Sequence, residues 1–355
     1  MTPMKWFSWL SPKGRNQDQD QDQAGSQSDY QHRMVNEIEY FSDVANLQDL
    51  PPIFGYWSNR YVRPWFEELG TTHPEALFTK YMALAAERSA NSRPRFLSIG
   101  AGDCRSEVEM AQTLLSQGVT DFSIECMDIN TGLLERGLQL AAEAGLDGRI
   151  VTVKADFNDW SPDGKYDAVM ANQCLHHVTN LEGLFDGVQS GLSDRGLFIV
   201  SDMIGRNGHQ RWPEALTHVQ RFWDRLPDRY KYNHQSRNLE VEYVNRDYSV
   251  GCFEGVRAQD ILPLLIKRFD FPVFIGFGNV VDVFIDRAYG YNFDPESPED
   301  LKFVDELHEC DECGFASGEL TPTHMTAVLC RRGSWTDDFY NARGLTPEKS
   351  LRKPG

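Results

Sequence analysis

Apolar positions recur in short runs separated by amphipathic stretches from Arg95 to Cys330, and this rhythm predicts the architecture. Strand-like runs fall at Arg95–Ile99, Phe122–Met127, Ile150–Val153, Tyr166–Ala171 and Gly196–Ser201, with further candidates at Val273–Phe277 and Met325–Cys330. Between them, apolar residues return at helical spacing: Val108, Met110, Ala111, Leu114 and Leu115, then Leu133, Leu134, Leu138 and Leu140, then Leu181, Leu184, Phe185 and Val188. Asn130 is placed to cap the second of these helices. Such βαβα alternation predicts a parallel sheet with helices on both faces.

The flanks follow other patterns. Gln17–Gln23 alternates Gln and Asp with nothing to bury, so residues 1–32 are expected to be a disordered tail. Its aromatic tip, Met4–Leu10, could serve as a docking peptide or simply fray. Residues 33–94 have helical spacing and many aromatics, with Pro74 at a first helical position, and are expected to form an N-terminal lid. Residues 205–255 break the rhythm and are expected to form a cap over the main domain, residues 95–330. Asp286–Leu320 reads as a polar, helix-containing insertion, and residues 331–355 as a loose tail.

Composition narrows the function classes. A chain of 355 residues can bury roughly 75% of its unfolded surface and needs no disulfide or metal to fold. Seven scattered cysteines, an odd number, suit a reducing cytoplasm. No apolar run reaches the roughly 20 residues of a membrane span. The net charge of −18 argues against long-range attraction to nucleic acid, though a pocket can still be locally basic.

Candidate chemistry collects where the predicted strands end. Gly100-Ala101-Gly102-Asp103 follows strand one, Asp128 and Ile129 follow strand two, Asp156 and Phe157 follow strand three, and Asn172 and His176 follow strand four. In an open parallel sheet, ligands bind outside these carboxyl ends. A carboxylate at Asp128 can accept both hydroxyls of a ribose, or merely cap the next helix. Asp156 with Phe157 can hold an adenine, or form an Asx turn beside a core ring.

In their order, the segments L-S-I-G-A-G-D, C-M-D-I-N, K-A-D-F, Y-D-A-V-M-A-N-Q-C-L-H-H-V and L-F-I-V-S-D resemble class I S-adenosylmethionine-dependent methyltransferases. The resemblance covers about Arg95–Cys330. It implies a Rossmann-like, doubly wound seven-stranded α/β sheet whose last strand is antiparallel. It also implies S-adenosylmethionine as cofactor, with Gly100 and Gly102 against the methionine portion, Asp128 at the ribose and Asp156 and Phe157 at the adenine; Ala101, Asp103, Ile129 and Asn172 complete the candidate cofactor-binding residues. Two positions depart from the pattern: Ser98 stands where an acidic residue is common, and Cys104 where a third glycine is common. Dehydrogenases share the glycine turn, but the Leu-His-His-Val block fits methyltransferases better. A non-catalytic scaffold of the same fold is the other alternative.

Methyl transfer needs nucleophile, methyl and sulfur in line, and a hydroxyl nucleophile gains from a base. The base candidates are His176 and His177 after strand four, and His209, His218 and His234 in the cap, with His234 preferred among the last three. Tyr56, Trp57, Arg60, Tyr61, Arg63 and Arg237 are the candidate acceptor-binding residues, as an aromatic and guanidinium clamp. A small molecule or glycan, methylated on oxygen, is the expected acceptor. A zinc site at His308, Cys310 and Cys313, completed by Cys330 or His324, is conceivable from the C-x-x-C spacing, but a second such pair is missing. No metal is expected.

Overall fold

The computed structural model describes residues 30–31, 33–36 and 50–353. The docking tip, the Gln/Asp run and residues 37–49 of the expected lid lie outside these residues. Five parallel strands form the core of the sheet: β1 (Arg95–Ile99), β2 (Ser123–Asp128), β3 (Ile150–Lys154), β4 (Tyr166–Asn172) and β5 (Leu192–Met203). A separate hairpin pairs β6 (Tyr232–Asn233) with β7 (Asn238–Leu239). β8 (Phe269–Phe277), β9 (His324–Arg331) and β10 (Tyr340–Asn341) complete the main sheet, in the order β10-β8-β9-β5-β4-β1-β2-β3. β9 runs antiparallel to both β5 and β8. The sheet therefore has eight strands, one more than the seven expected. The extra strand is β10, two residues that pair with Val273 and Phe274 of β8.

Both faces of the sheet are covered, which is why β4 is buried at every residue but Asn172 and reads as a nearly continuous apolar run. One face packs against α3 (Pro74–Arg88), α4 (Arg105–Ser116) and α5 (Thr131–Glu143), through Phe78, Met82, Met110, Leu114 and Leu134. The other packs against α6 (Leu181–Gly191) and α8 (Ala258–Arg268), through Leu184, Phe185, Val188, Ile261 and Leu265. Two shorter helices, α1 (Pro52–Trp57) and α2 (Arg63–Glu68), flank a π-helical segment at Ser58–Val62 that turns Trp57, Val62 and Phe66 inward. The cap contributes α7 (Pro213–Trp223) and the hairpin. Asn130 does cap α5, its Oδ1 accepting from the Leu133 N–H at 3.2 Å. The long connection from β8 to β9 holds α9 (Val280–Ile285) and α10 (Pro298–Ser317).

The segment after Arg331 is packed rather than loose. Ala342 and Leu345 are buried, and the Arg343 guanidinium lies 4.2 Å from the Trp65 ring centre. A polar sequence hides this because the contacts come from cation–π stacking and strand pairing, which leave no apolar periodicity.

Candidate active site

The strand order reverses between β1 and β4, and the first group of candidate residues converges there. The turn after β1 is tied to the end of β2: the N–H groups of Gly100 and Ala101 both donate to the Met127 carbonyl, at 2.9 and 3.0 Å. Gly100 has φ +67, and a Cβ there would stand 2.6 Å from Cys174 Cβ, so only glycine fits between the two strand ends. Gly102 has φ +55, and a Cβ there would meet nothing within 4 Å. That is open space above a backbone cradle. Asp128 closes the cradle: its Oδ2 accepts from Gly102 N–H at 2.9 Å and its Oδ1 from Asn130 N–H at 2.8 Å. A carboxylate can accept about four hydrogen bonds, so these two do not by themselves fill it. The open glycine turn and the adjacent carboxylate fit the methionine and ribose parts of S-adenosylmethionine.

The two departures in this turn have structural counterparts. The carboxyl missing at Ser98 is delivered from α4: Ser98 Oγ donates to Glu107 Oε1 at 2.7 Å, with both residues buried. Burial pushes the Glu107 carboxyl up to about 7, against the hydrogen bond from Ser98. Proton binding is therefore stronger in the folded chain, and Glu107 contributes stability that is lost as pH rises from about 4.5 through about 7. Glu107→Gln, which does not titrate, is expected to flatten that loss. Urea denaturation at pH 5.5 and 8 should show the variant gaining on the parent at the higher pH. A constant difference would mean that Glu107 does not titrate in this window.

Cys104 takes the left-handed conformation, φ 55, at the start of α4. A Cβ on Gly137 would stand 2.5 Å from its Sγ, so the thiol fills the gap between the turn and α5. Cys104→Gly relieves about 1–2 kcal/mol of left-handed strain and loses a buried thiol of similar worth. The expected net change in stability is within about 1 kcal/mol, with cofactor affinity kept. A calorimetric scan and a binding titration would show either loss.

At the adenine end, Asp156 is engaged within the chain. Its Oδ2 accepts from the Tyr30 hydroxyl at 2.6 Å, and its Oδ1 from the Asn158 N–H at 2.9 Å. Tyr30 falls in the stretch expected to be a tail, yet it is helical here, and its ring centre lies 5.2 Å from that of Phe253 in the cap. Phe157 packs on the face formed by α6 and α8. Ile129 is half-buried beside Asp128, Asn172 ends β4, and Asp103 accepts from the Arg105 N–H at 3.3 Å.

The turn after β4 is organised by one residue. Asp202, fully buried on β5, accepts from the N–H groups of Cys174 (2.9 Å), Leu175 (2.7 Å) and Met203 (2.8 Å), and from His176 Nδ1 (2.7 Å). Burial alone would push this carboxyl up. His176 and the backbone donors outweigh it and hold Asp202 below the usual range. Burial holds His176 below its ordinary value, against the opposing pull of Asp202.

His176, His177 and His209 gather around Glu254. Glu254 Oε1 is 2.6 Å from His209 Nε2 and 3.6 Å from His176 Nε2, and its Oε2 is 3.6 Å from His177 Nε2. Burial holds His209 well below its ordinary value. His209 was one of three cap histidines open at sequence level; Glu254 was not singled out. Its only signal was a lone acid in the run Cys252-Phe253-Glu254-Gly255. His234 is elsewhere, bonded to Asn292 at an exposed site, so it does not join this cluster.

His209 also lines a pocket between the sheet end and the cap, together with Trp57, Gln173, Arg211, Tyr243, Phe277, Asp282, Asp286, Tyr289 and His324. Arg211 is buried, and its NH2 is 3.6 Å from Asp282 Oδ2. Of the six candidate acceptor residues, only Trp57 lines this pocket. Tyr56 and Tyr61 instead donate to Asp305 of α10, Arg60 faces the same carboxylate, and Arg63 pairs with Glu67. Arg237 is exposed in the β6–β7 turn, at φ 57. The helical phase of 52–68 sends these groups outward, and the π-helical segment shifts that phase, which residue type alone does not disclose.

His308 stacks on Tyr61, with ring centres 3.8 Å apart, while Cys310 and Cys313 lie along α10. Among the described residues they join no cluster of metal ligands. No helix among those residues is long and apolar enough to cross a membrane.

Residues 69–242 match the family model described as a methyltransferase domain. Over 122 residues the chain is 30% identical to sterol 24-C-methyltransferase erg-4 of Neurospora crassa, a match covering 34% of this chain and 31% of that protein. The chain thus spans about a third of the length of this curated relative. Among solved structures, it is similar to the O-methyltransferase of a trans-AT PKS multienzyme of Brevibacillus brevis in complex with S-adenosyl-L-homocysteine. There the identity is 14%, with 84% of this chain and 91% of that chain covered, at a TM-score of 0.44. A geranyl diphosphate methyltransferase in complex with SAM is 11% identical, covering 72% of this chain and 84% of that chain, at a TM-score of 0.42. With the glycine cradle and Asp128 at the sheet's switch point, residues 69–242 form a methyltransferase domain of the class I S-adenosylmethionine-dependent kind.

Proposed function

We propose that this protein transfers the methyl group of S-adenosylmethionine to a hydroxyl oxygen of a small-molecule or glycan acceptor held in the pocket beside His209. The observation that carries the reading is the cluster of His176, His177, His209 and Glu254, of which His209 lines the pocket. The sulfonium methyl is already activated, so most of the acceleration comes from alignment, and loss of the acceptor proton supplies a further factor of perhaps 10²–10⁴. The imidazole and carboxylate cluster is where that proton is lost. His176 and His177 keep the part assigned to them from sequence, and His209 takes the part assigned to His234.

The pocket also bears on the acceptor's charge. Its one arginine, Arg211, faces Asp282, and Asp286, a second half-buried carboxylate, lies 3.7 Å from Arg287. The one lining guanidinium is thus already matched by a carboxylate, which disfavours an anionic acceptor. The aromatic walls of Trp57, Phe277 and Tyr289, with polar groups between them, suit a neutral hydroxylated one. Incubating the protein with S-adenosylmethionine and a panel of hydroxylated, amine and carboxylate acceptors, with S-adenosylhomocysteine and products read by mass spectrometry, tests this. Methyl ethers are expected. Turnover confined to amines or carboxylates would overturn the oxygen reading.

A further inference from the structure

We propose that His176, His209 and Glu254 form a site for one divalent transition-metal ion, zinc matching best a set of two imidazoles and one carboxylate. A ligand atom from each of the three lies within 4.8 Å of the other two. Ligands about 2.1 Å from a tetrahedral ion stand about 3.4 Å from one another. The 3.6 Å from His176 Nε2 to Glu254 Oε1 is close to that spacing. The same 3.6 Å separates His177 Nε2 from Glu254 Oε2, so a fourth group stands at the edge of the site. The 2.6 Å between His209 Nε2 and Glu254 Oε1 is a hydrogen-bond distance, and an ion there replaces the shared proton and widens the contact by under about 1 Å.

The orientation of His176 is independent support. Its Nδ1 is committed to Asp202 Oδ1 at 2.7 Å. A neutral ring that donates from Nδ1 carries its lone pair on Nε2, and that atom faces Glu254. A carboxylate behind the imidazole is how metal-binding histidines are commonly aimed, and it raises the basicity of the ligating nitrogen. His209 is aimed by its backbone. It has φ 55, and a Cβ on Gly255 would stand 2.9 Å from its ring, so the cap's own glycine makes room for the imidazole. His209 lines the acceptor pocket, so an ion held on its Nε2 would lie beside that pocket.

The site does not depend on the oxygen-methylation reading, but the role given to the ion does. With the ion bound, it takes over the work given above to His176 and His209 as base: bound to the acceptor hydroxyl, it would lower the hydroxyl pKa and the proton would leave to water. The oxygen then forms its bond to the methyl carbon as the carbon–sulfur bond breaks, and S-adenosylhomocysteine is the leaving group.

The test uses the full chain, stripped with a chelator and then titrated with Zn²⁺ or Co²⁺. One equivalent of zinc per chain is expected by elemental analysis, with visible Co²⁺ absorption bands and a rise of several degrees in melting temperature. Glu254→Gln and His209→Ala should each weaken zinc binding at least 100-fold, whereas His218→Ala, outside the cluster, should not. Failure of the stripped wild type to take up zinc overturns the site without reference to any variant. So does unchanged uptake by both folded variants. Calorimetric titration of the stripped protein with S-adenosylmethionine separates the two readings: cofactor binding without metal uptake removes only the metal site, and metal uptake without cofactor binding removes only the methyl-transfer reading.

Discussion

Asp128→Ala is expected to weaken S-adenosylmethionine binding by roughly 10²–10⁴-fold. The estimate comes from two ribose hydroxyls donating to one carboxylate, at about 1.5–3 kcal/mol each. A second loss adds to it. Asp128 also accepts from the N–H groups of Gly102 and Asn130, so its removal frees the glycine turn as well. The site is only partly buried and water can replace those two backbone bonds, so stability should fall by no more than about 1–2 kcal/mol. Asp128→Asn separates the two effects. Its amide oxygen can still accept, but the charge is gone, and an intermediate affinity is expected. Isothermal titration of the three proteins measures this, and equal affinity across them would show that the carboxylate does not touch the cofactor.

Asp202→Ala should be the most destabilising of these substitutions, by about 3–5 kcal/mol. The carboxylate serves four donors: three backbone N–H groups and His176 Nδ1. Asp202 is fully buried, so no water is at hand to replace it. Breaking a buried pair by removing one partner costs about this much, because each stranded donor keeps its desolvation penalty. Asp202→Asn preserves the shape but turns an NH₂ group towards one pair of donors, and should recover only part of the loss. Equilibrium urea denaturation gives the difference directly. A midpoint unchanged in Asp202→Ala would mean that the turn after β4 is held by packing alone. The functional consequence is a loosened His176, and with it a less ordered cluster around Glu254.

The cofactor half of the site was legible in the sequence for a physical reason. Each of its parts is a strand end plus the next few residues, and a parallel strand followed by a glycine or an N-cap is a local pattern. Gly100, Gly102 and Asp128 could therefore be placed at one edge before any coordinates. The acceptor half was not legible in the same way. Tyr56, Arg60, Tyr61 and Arg63 have the right chemistry, but a π-helical turn and the contact with Asp305 take them to the outer surface. Arg211 and Glu254 have no local pattern to mark them.

The sequence by itself determined the succession of strands and helices along the main domain, the two-faced burial of the sheet and the strand ends at which the candidate residues collect, because all three follow from hydrophobic period and turn chemistry within a few residues. Only the tertiary structure brought His176, His177, His209 and Glu254 together and set His209 against a pocket. His176 meets Asp202 across 26 positions, and His209 meets Glu254 across 45. Those contacts depend on how the cap folds back over the sheet, and burial then sets the charge states of the groups it encloses. Neither the fold-back nor the burial is written in the spacing of neighbouring residues.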